Sequence, residues 1–372
     1  MIWFLIVLFS FYTILIISLA IGFVRLRNFK PEIIVSKTSF SVIIPFRNEA
    51  KNLKGLLNSI KALEYPIEMV AFIFVDDASL DNSVKTIEEF IKTNKIKNFN
   101  ILQNNRKSNS PKKDAISTAI SFAKNNWIVT TDADCILPKK WLLTLDVFIQ
   151  QKEPEMVVAP VNYIVNNNYL EQFQLLDFMS LQGTTIGGFG IEFPFLCNGA
   201  NLAYKKDTFL KLNGFKGNDN IASGDDIFLF EKFIEHNKKS VQFLKSKDAI
   251  VATFPVKTIT NLINQRVRWA SKTSKFKSVN VKLIGLLVFL INLSVIFNLF
   301  LSNTLLVILL PLFLKIVIDL FLFIPTMIFY NHKKSFLKWY VISSIIYPFF
   351  SVFIVFKSLF FNYNWKGRTF TK

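Results

Sequence analysis

Apolar and polar positions divide the chain into three regimes. Residues Ile2 to Val24 are almost wholly apolar and uncharged, long enough as a helix to cross a hydrocarbon core of about 30 Å. Arg25, Arg27 and Lys30 follow at once, and the positive-inside bias predicts that the next segment stays in the cytoplasm. No basic region precedes the apolar run, and the run exceeds a usual signal-peptide core, so an uncleaved anchor is expected. From Ser39 the pattern changes to short β-rich runs, Phe40 to Pro45, Val70 to Val75, Phe99 to Leu102 and Trp127 to Thr131. Amphipathic stretches separate them, predicting helices over Glu49 to Leu63, Asp81 to Lys92 and Lys112 to Lys124. This rhythm is that of an α/β fold with a mostly parallel sheet covered by helices.

Glu153 to Thr258 is less regular and is expected to build the acceptor side of a pocket. Within it, Gly183-Thr-Thr-Ile-Gly-Gly-Phe-Gly190 reads as a flexible wall or lid, or as a plain surface loop. After Lys282 the chain is apolar again over Leu283 to Leu301, Thr304 to Ile328 and Trp339 to Phe361, each long enough to span. Three crossings from a cytoplasmic domain would leave Lys366, Arg368 and Lys372 outside, against the preference these share with Lys333 and Lys334. One segment is therefore expected to be re-entrant or interfacial. Trp339 to Phe361 carries Pro348 and Lys357, and Thr304 to Ile328 carries Pro311, Lys315, Asp319 and Pro325. The expected domains are an anchor at 1–30, a catalytic domain at 31–275 ending in an interfacial helix, and a membrane region at 276–372.

The net charge of +18 suggests an anionic partner, but 51% of the residues are hydrophobic and no nucleic-acid-binding motif is present. Lipid headgroups and a small anionic ligand account for the charge without nucleic acid. The two cysteines, Cys135 and Cys197, and two histidines, His236 and His332, leave little for a zinc site or a histidine triad. Carboxylates are the remaining chemistry.

They fall in a fixed order. Asp76-Asp77 ends the second strand, where a carboxylate can accept from a ribose hydroxyl or a base N–H; Ser79 or Asp81 can instead cap the following helix. Asp132-Ala133-Asp134 follows the fourth strand and offers two hard oxygen donors to Mg²⁺ or Mn²⁺. Between these clusters, Lys112 or Lys113 can meet a diphosphate as a point charge, or both are solvated lysines. Asp225-Asp226 precedes an apolar helix and supplies either a general base or a helix cap. Gln265, Arg268 and Trp269 lie at i, i+3 and i+4, one face of a helix, suited to phosphate contacts and stacking on an acceptor. An interfacial amphipathic helix has the same pattern, and the two readings are compatible.

Taken in order, Ser41-Val-Ile-Ile-Pro-Phe-Arg-Asn-Glu49, Val75 to Ser79, Lys112, Asp132 to Asp134, Asn198-Gly-Ala-Asn201, Gly224 to Asp226 and Gln265 to Trp269 resemble the membrane-bound family 2 glycosyltransferases. The resemblance covers roughly Ser39 to Ser271 and implies a GT-A fold, a Rossmann-like mixed sheet, flanked here by transmembrane helices. It also implies inversion of the anomeric centre in one displacement from a nucleotide-diphosphate sugar. On it, Asp76 and Asp77 contact the nucleoside, Lys112, Asp132, Gln265 and Arg268 border the sugar diphosphate, and Asp134 coordinates the metal alongside Asp132. Asn201 and Trp269 fall on the acceptor side, and Asp226 matches the base. Many members carry Thr-Glu-Asp where this chain has Gly224-Asp225-Asp226, so Asp225 stays a second base candidate. The small membrane part and Trp365-Lys-Gly-Arg368 look like the lipid-modifying members, those acting on ceramides or carotenoid acids. The expected enzyme is thus a multi-pass protein of the inner cell membrane that transfers one sugar to a lipid. Its rivals are a short processive polysaccharide synthase, a silent nucleotide-sugar-binding scaffold, and a nucleotidyltransferase that would have no need of membrane segments.

Overall fold

A computed structural model of the protein describes residues 2–32, 35–219, 221–301, 304–332 and 336–370. In chain order the first elements are α1 (Ile2–Arg25), β1 (Phe40–Phe46), α2 (Ala50–Lys61), β2 (Val70–Asp76), α3 (Ser83–Asn94), β3 (Phe99–Gln103), α4 (Pro111–Phe122) and β4 (Trp127–Thr130). There follow α5 (Trp141–Lys152), β5 (Met156–Val158), β6 (Val161–Tyr163), α6 (Tyr169–Gly190), β7 (Leu202–Lys205), α7 (Lys206–Lys211), α8 (Asp225–Asn237), β8 (Val241–Phe243) and β9 (Val251–Thr253). The last are α9 (Ile259–Ser271), α10 (Val279–Leu301), α11 (Leu305–Phe329), α12 (Phe336–Phe360), β10 (Tyr363–Trp365) and β11 (Arg368–Phe370).

Two compact units form. One comprises Arg27–Ile164 and Cys197–Phe254, the other Met1–Leu26, Val165–Leu196 and Pro255–Lys372. The first is built on a seven-stranded sheet of order β3-β2-β1-β4-β7-β5-β8. Strands β3, β2, β1 and β4 are mutually parallel, and β7 runs antiparallel to both β4 and β5. The register sets Ile43 beside Ile73 and Val42 beside Val129, all essentially inaccessible. A central parallel strand covered on both faces needs such near-continuous apolar sequence, which is why alternation is weak in β1 and β2. Proline at the first position of α4 fits a helix start, where its missing N–H costs nothing.

The second unit groups α1 with α6 and α11, α12 with α9 and α10, and α9 with β10. Among the described residues, four helices of this unit are long and apolar enough to cross a membrane: Trp3–Arg25, Val279–Phe300, Leu305–Phe329 and Leu337–Phe360. α11 continues through Pro311 and Pro325, and α12 through Pro348, so neither segment is broken into a re-entrant hairpin. Lys333, Lys334 and Lys372 lie outside the described residues. Helices α6 and α9, which the sequence boundaries assign to the catalytic domain, belong to this unit.

The glycine-rich stretch Gly183 to Gly190 is a correction. It is neither lid nor loop but the last two turns of α6. Gly183, Gly187 and Gly190 lie against other helices: a Cβ on Gly187 would come 2.4 Å from the Leu19 carbonyl oxygen, and one on Gly190 would come 1.8 Å from that of Gly22. Small residues that let helix backbones touch are the usual adhesive between apolar helices, and here they outweigh the helix-weakening tendency of glycine. A polar cluster sits in the same bundle. Asp319 of α11 accepts from the Tyr12 hydroxyl of α1 at 2.5 Å, and its other oxygen lies 2.5 Å from the Lys315 ammonium one turn earlier.

Candidate active site

Because β2, β1 and β4 are parallel neighbours, their carboxyl ends open on one edge of the sheet, the edge at which open α/β sheets bind ligands. Strand β2 runs out at Asp76. Asp76 and Asp77 are both buried; Asp76 Oδ1 accepts from the Ser79 N–H at 2.9 Å and closes the turn. Asp77 Oδ1 accepts from Asn104 Nδ2 at 2.8 Å and from Arg106 Nε at 2.6 Å. The capping work falls to Asp81, whose carboxylate accepts from the N–H and hydroxyl of Ser83 and from the Ala50 N–H. Slight burial opposes ionisation of Asp81, but these donors outweigh it and hold its carboxyl below the ordinary range. The local structure therefore does not need Asp76 and Asp77 as helix caps.

Strand β4 ends two residues before Asp132, and Asp132 and Asp134 are both half-buried in the turn beyond it. Lys112, in the first turn of α4, places its Nζ 2.7 Å from Asp132 Oδ1 and 3.2 Å from Asp225 Oδ2. Burial alone would depress this ammonium, but Asp132, Asp225 and Asp226 together outweigh burial and raise it well above the ordinary lysine range. Neither lysine of the pair is solvated. Lys113 is 1% exposed, donates to the carbonyls of Asn218 and Ile221 at 2.5 and 2.9 Å, and lies over the Phe228 ring. It holds the segment that leads into Asp225 and Asp226.

Those two aspartates occupy the first turn of α8, where the positive end of the helix dipole favours carboxylates. Gly224 precedes them at φ +81°, a backbone that L side chains rarely adopt. Asp226 Oδ2 accepts from the Gly199 N–H at 3.1 Å, and the Thr130 hydroxyl donates to the Gly199 carbonyl at 2.9 Å. The last residue of β4 thus fixes the loop that fixes Asp226. A Cβ on residue 199 would stand 3.2 Å from both Asp225 Oδ2 and Asp226 Cβ, so the close approach depends on glycine. Asn201 is 1% exposed and its amide is used in the interior, accepting from Trp141 Nε1 at 2.9 Å and donating to Pro160 and Ala249 carbonyls at 2.8 Å.

As donors to a metal, Asp132 and Asp134 offer hard oxygens at a partly open turn. Among the described residues no group of three or more His, Cys, Asp or Glu could hold an ion. A pair of carboxylates fits an ion of the magnesium type, which keeps several waters and takes its other ligands from substrate phosphate.

In the other unit, α9 forms as the spacing predicts, with Thr258 accepting from the Asn261 N–H at its start. Its two arginines differ. Arg266 is 5% exposed, pairs with Asp177 of α6 at 2.5 Å, stacks on Trp269 with its guanidinium carbon 4.2 Å from the ring centroid, and donates to the Gln265 side-chain carbonyl. Arg268 lies instead over Trp365 of β10, 5.1 Å from the ring centroid. Trp269 also packs on Phe178. Two contributors escaped the sequence reading: Arg106, hidden in a polar loop with no pattern around it, and Arg266, whose partner lies 89 residues away.

A mixed sheet of this order, with acidic turns at the carboxyl ends of β2 and β4 and a third acidic pair at a helix start, defines a GT-A nucleotide-sugar fold. The model of glycosyl transferase family 2 matches residues 41–208, and that of glycosyl transferase family group 2 matches residues 127–355, more than half of the chain. The chain belongs to the family 2 glycosyltransferases. It is 24% identical over 238 residues to the poly-beta-1,6-N-acetyl-D-glucosamine synthase of Staphylococcus epidermidis, covering 62% of this chain and 53% of that protein. It is 28% identical over 119 residues to the poly(ribitol-phosphate) beta-N-acetylglucosaminyltransferase TarS of Staphylococcus aureus, covering 32% of this chain and 20% of that one. The chain therefore spans about half or less of the length of these relatives. Among solved structures, the mannosyltransferase PcManGT from Pyrobaculum calidifontis, in complex with GDP-Man and Mn²⁺, superposes with a TM-score of 0.57 at 14% identity, covering 96% of this chain and 97% of that one. That likeness is one of fold.

Proposed function

We propose that the protein is an inverting, metal-assisted glycosyltransferase that moves a sugar from a nucleotide-diphosphate donor to a lipid in the membrane that holds it. The observation that carries the proposal is Lys112, whose single ammonium bridges Asp132 and Asp225 and so draws the diphosphate turn and the base pair to one edge of the sheet. Asp76 and Asp77 take the nucleoside, and Lys112, Asp132, Gln265 and Arg268 take the diphosphate. Mg²⁺ or Mn²⁺, held by Asp132 and Asp134, would neutralise charge on the leaving group.

Asp226 is the base in this reading. Asp225 is engaged by Lys112, whereas Asp226 is oriented by the Gly199 N–H and thereby by β4. Its carboxylate accepts the proton of the acceptor hydroxyl as that oxygen bonds to the anomeric carbon, while the bond from that carbon to the diphosphate oxygen breaks on the opposite face. The nucleoside diphosphate departs with the electron pair. Trp269 lies on the acceptor side; Asn201, with its amide engaged in the interior, is assigned a positioning role there.

Among the described residues, four helices suited to crossing a membrane, the first ending at Arg25 with Arg27 just beyond it, support a multi-pass protein of the cell membrane with its catalytic unit on the cytoplasmic side. A lipid acceptor reaches such an enzyme along the bilayer. The poly-N-acetylglucosamine synthase relative favours a second reading, in which the same chemistry extends a polysaccharide.

Detergent-purified protein incubated with Mn²⁺, a panel of nucleotide-sugars and a total bacterial lipid extract separates these. Nucleoside diphosphate release with a single-hexose mass increase on one lipid class supports lipid transfer. Long polymer without added lipid supports the second reading. Tight donor binding without turnover, unchanged in Asp226→Asn, would refute both.

A further inference from the structure

The chain ends in a hairpin whose existence its own strands do not explain. Strands β10 and β11 have three residues each, too few to be stable alone in water. Lys366 and Gly367 join them at φ +50° and +73°, the two-residue turn that matches strand twist. The hairpin holds because Tyr363 is buried against Val267 of α9 and Ile354 of α12, with Trp365 and Phe370 packed around them. It is therefore docked onto the helix that carries Gln265, Arg268 and Trp269.

The two arginines of that helix have different neighbours. Arg266 Nε donates to the buried carboxylate of Asp177. Arg268 Nε is shielded from solvent without a hydrogen-bond acceptor, and its guanidinium has the Trp365 ring against it. An aromatic ring supports the flat face of a guanidinium and leaves the in-plane N–H fork for an anion with paired oxygens.

We infer that Trp365 is a positioning residue for Arg268, and that the hairpin presents the indole so that the fork of Arg268 is set for phosphate oxygens. This rests on the assignment of Arg268 to the diphosphate of the donor.

Titration of UDP and GDP in parallel, with Mn²⁺ and detergent-purified protein, tests the inference. The variants are Arg268→Gln, Trp365→Leu, Trp365→Phe and the Arg268→Gln/Trp365→Leu double variant. For whichever diphosphate binds the parent, Trp365→Leu should weaken binding about three- to tenfold, the range of a partly desolvated cation–π contact, and Trp365→Phe should restore most of it. In the Arg268→Gln background, Trp365→Leu should add nothing, because contacting side chains couple in a double-mutant cycle. A loss that adds in full, or no loss in Trp365→Leu while Arg268→Gln loses affinity, overturns the role of Trp365 alone. Unchanged affinity in Arg268→Gln overturns the phosphate assignment and the inference with it.

Discussion

Replacing single glycines of α6 and α10 by alanine should separate helix propensity from helix contact. In an exposed helix, glycine to alanine gains about 1 kcal/mol. At Gly190 that gain meets a Cβ placed 1.8 Å from the Gly22 carbonyl oxygen, where real contacts essentially never fall below 3.0 Å and ordinary ones begin at 3.4 Å. Helix α1 would have to withdraw by about 1.2 to 1.6 Å, and the obstacle is backbone, which cannot rotate away as a side chain can. At Gly187 the required withdrawal from Leu19 is about 0.6 to 1 Å. At Gly285 of α10 the nearest atom, Thr273 Cγ2, is 3.7 Å away, so only the propensity gain remains. Overpacking costs of about 1 to 3 kcal/mol then predict a ranking in detergent thermal unfolding: Gly285→Ala at or above the parent, Gly187→Ala below it, Gly190→Ala lowest. If Gly190→Ala matched Gly285→Ala, the close approach of α1 and α6 would be wrong, and the sequence reading of this stretch as a loop would regain its standing.

Asp226→Asn should leave donor affinity intact and reduce kcat by about 10²- to 10⁴-fold, which single-turnover assays would register; the same loss in Asp225→Asn with Asp226→Asn active would transfer the base role. Asp134→Ala should abolish the enhancement of nucleotide-sugar binding by Mn²⁺, measured by calorimetry with and without the ion; an undiminished enhancement removes Asp134 from the metal site. Lys245 is 5% exposed, and burial pushes its ammonium down to about 8 from the ordinary 10.5. The unfolded chain then binds more protons between these values, so stability rises as pH climbs from about 8 to 10.5. Lys245→Met should accordingly remove this rise in unfolding temperature between about pH 8 and 10.5; a rise of the same size in the variant would contradict this.

Much of the first unit was legible because its signals are local. The strand over Phe40 to Pro45 extends by one residue to Phe46, and the helices over Glu49 to Leu63 and Asp81 to Lys92 become α2 and α3 with slightly different ends. The acidic turns lie where strand composition stops, which any reading of the apolar runs finds. What escaped depends on partners remote in sequence. Gly183 to Gly190 has the composition of a loop, and partners far away in sequence, Leu19 and Gly22 upstream and Leu322 and Thr326 downstream, make it a helix surface. Spacing put Gln265, Arg268 and Trp269 on one face but could not tell the arginine that pairs with Asp177 from the arginine that lies over Trp365. The two lysines that open α4 looked interchangeable, yet one holds the carboxylates and its neighbour holds a loop.

The contact between Tyr12 and Asp319 bears on how the protein is made. Lys315 and Asp319 lie near the middle of an apolar helix, where each charge on an isolated segment resists insertion by about 2.5 to 3.5 kcal/mol. Their mutual pairing offsets part of that penalty, and the hydroxyl that completes the shell of Asp319 sits on a helix synthesised some three hundred residues earlier. Helix α1, made first, thus supplies the hydroxyl that Asp319 of the later helix α11 accepts from in the folded bundle. A Tyr12→Phe chain would test the cell's quality control, because it would meet the same bilayer with the same overall hydropathy and differ only in whether a late helix finds its early companion.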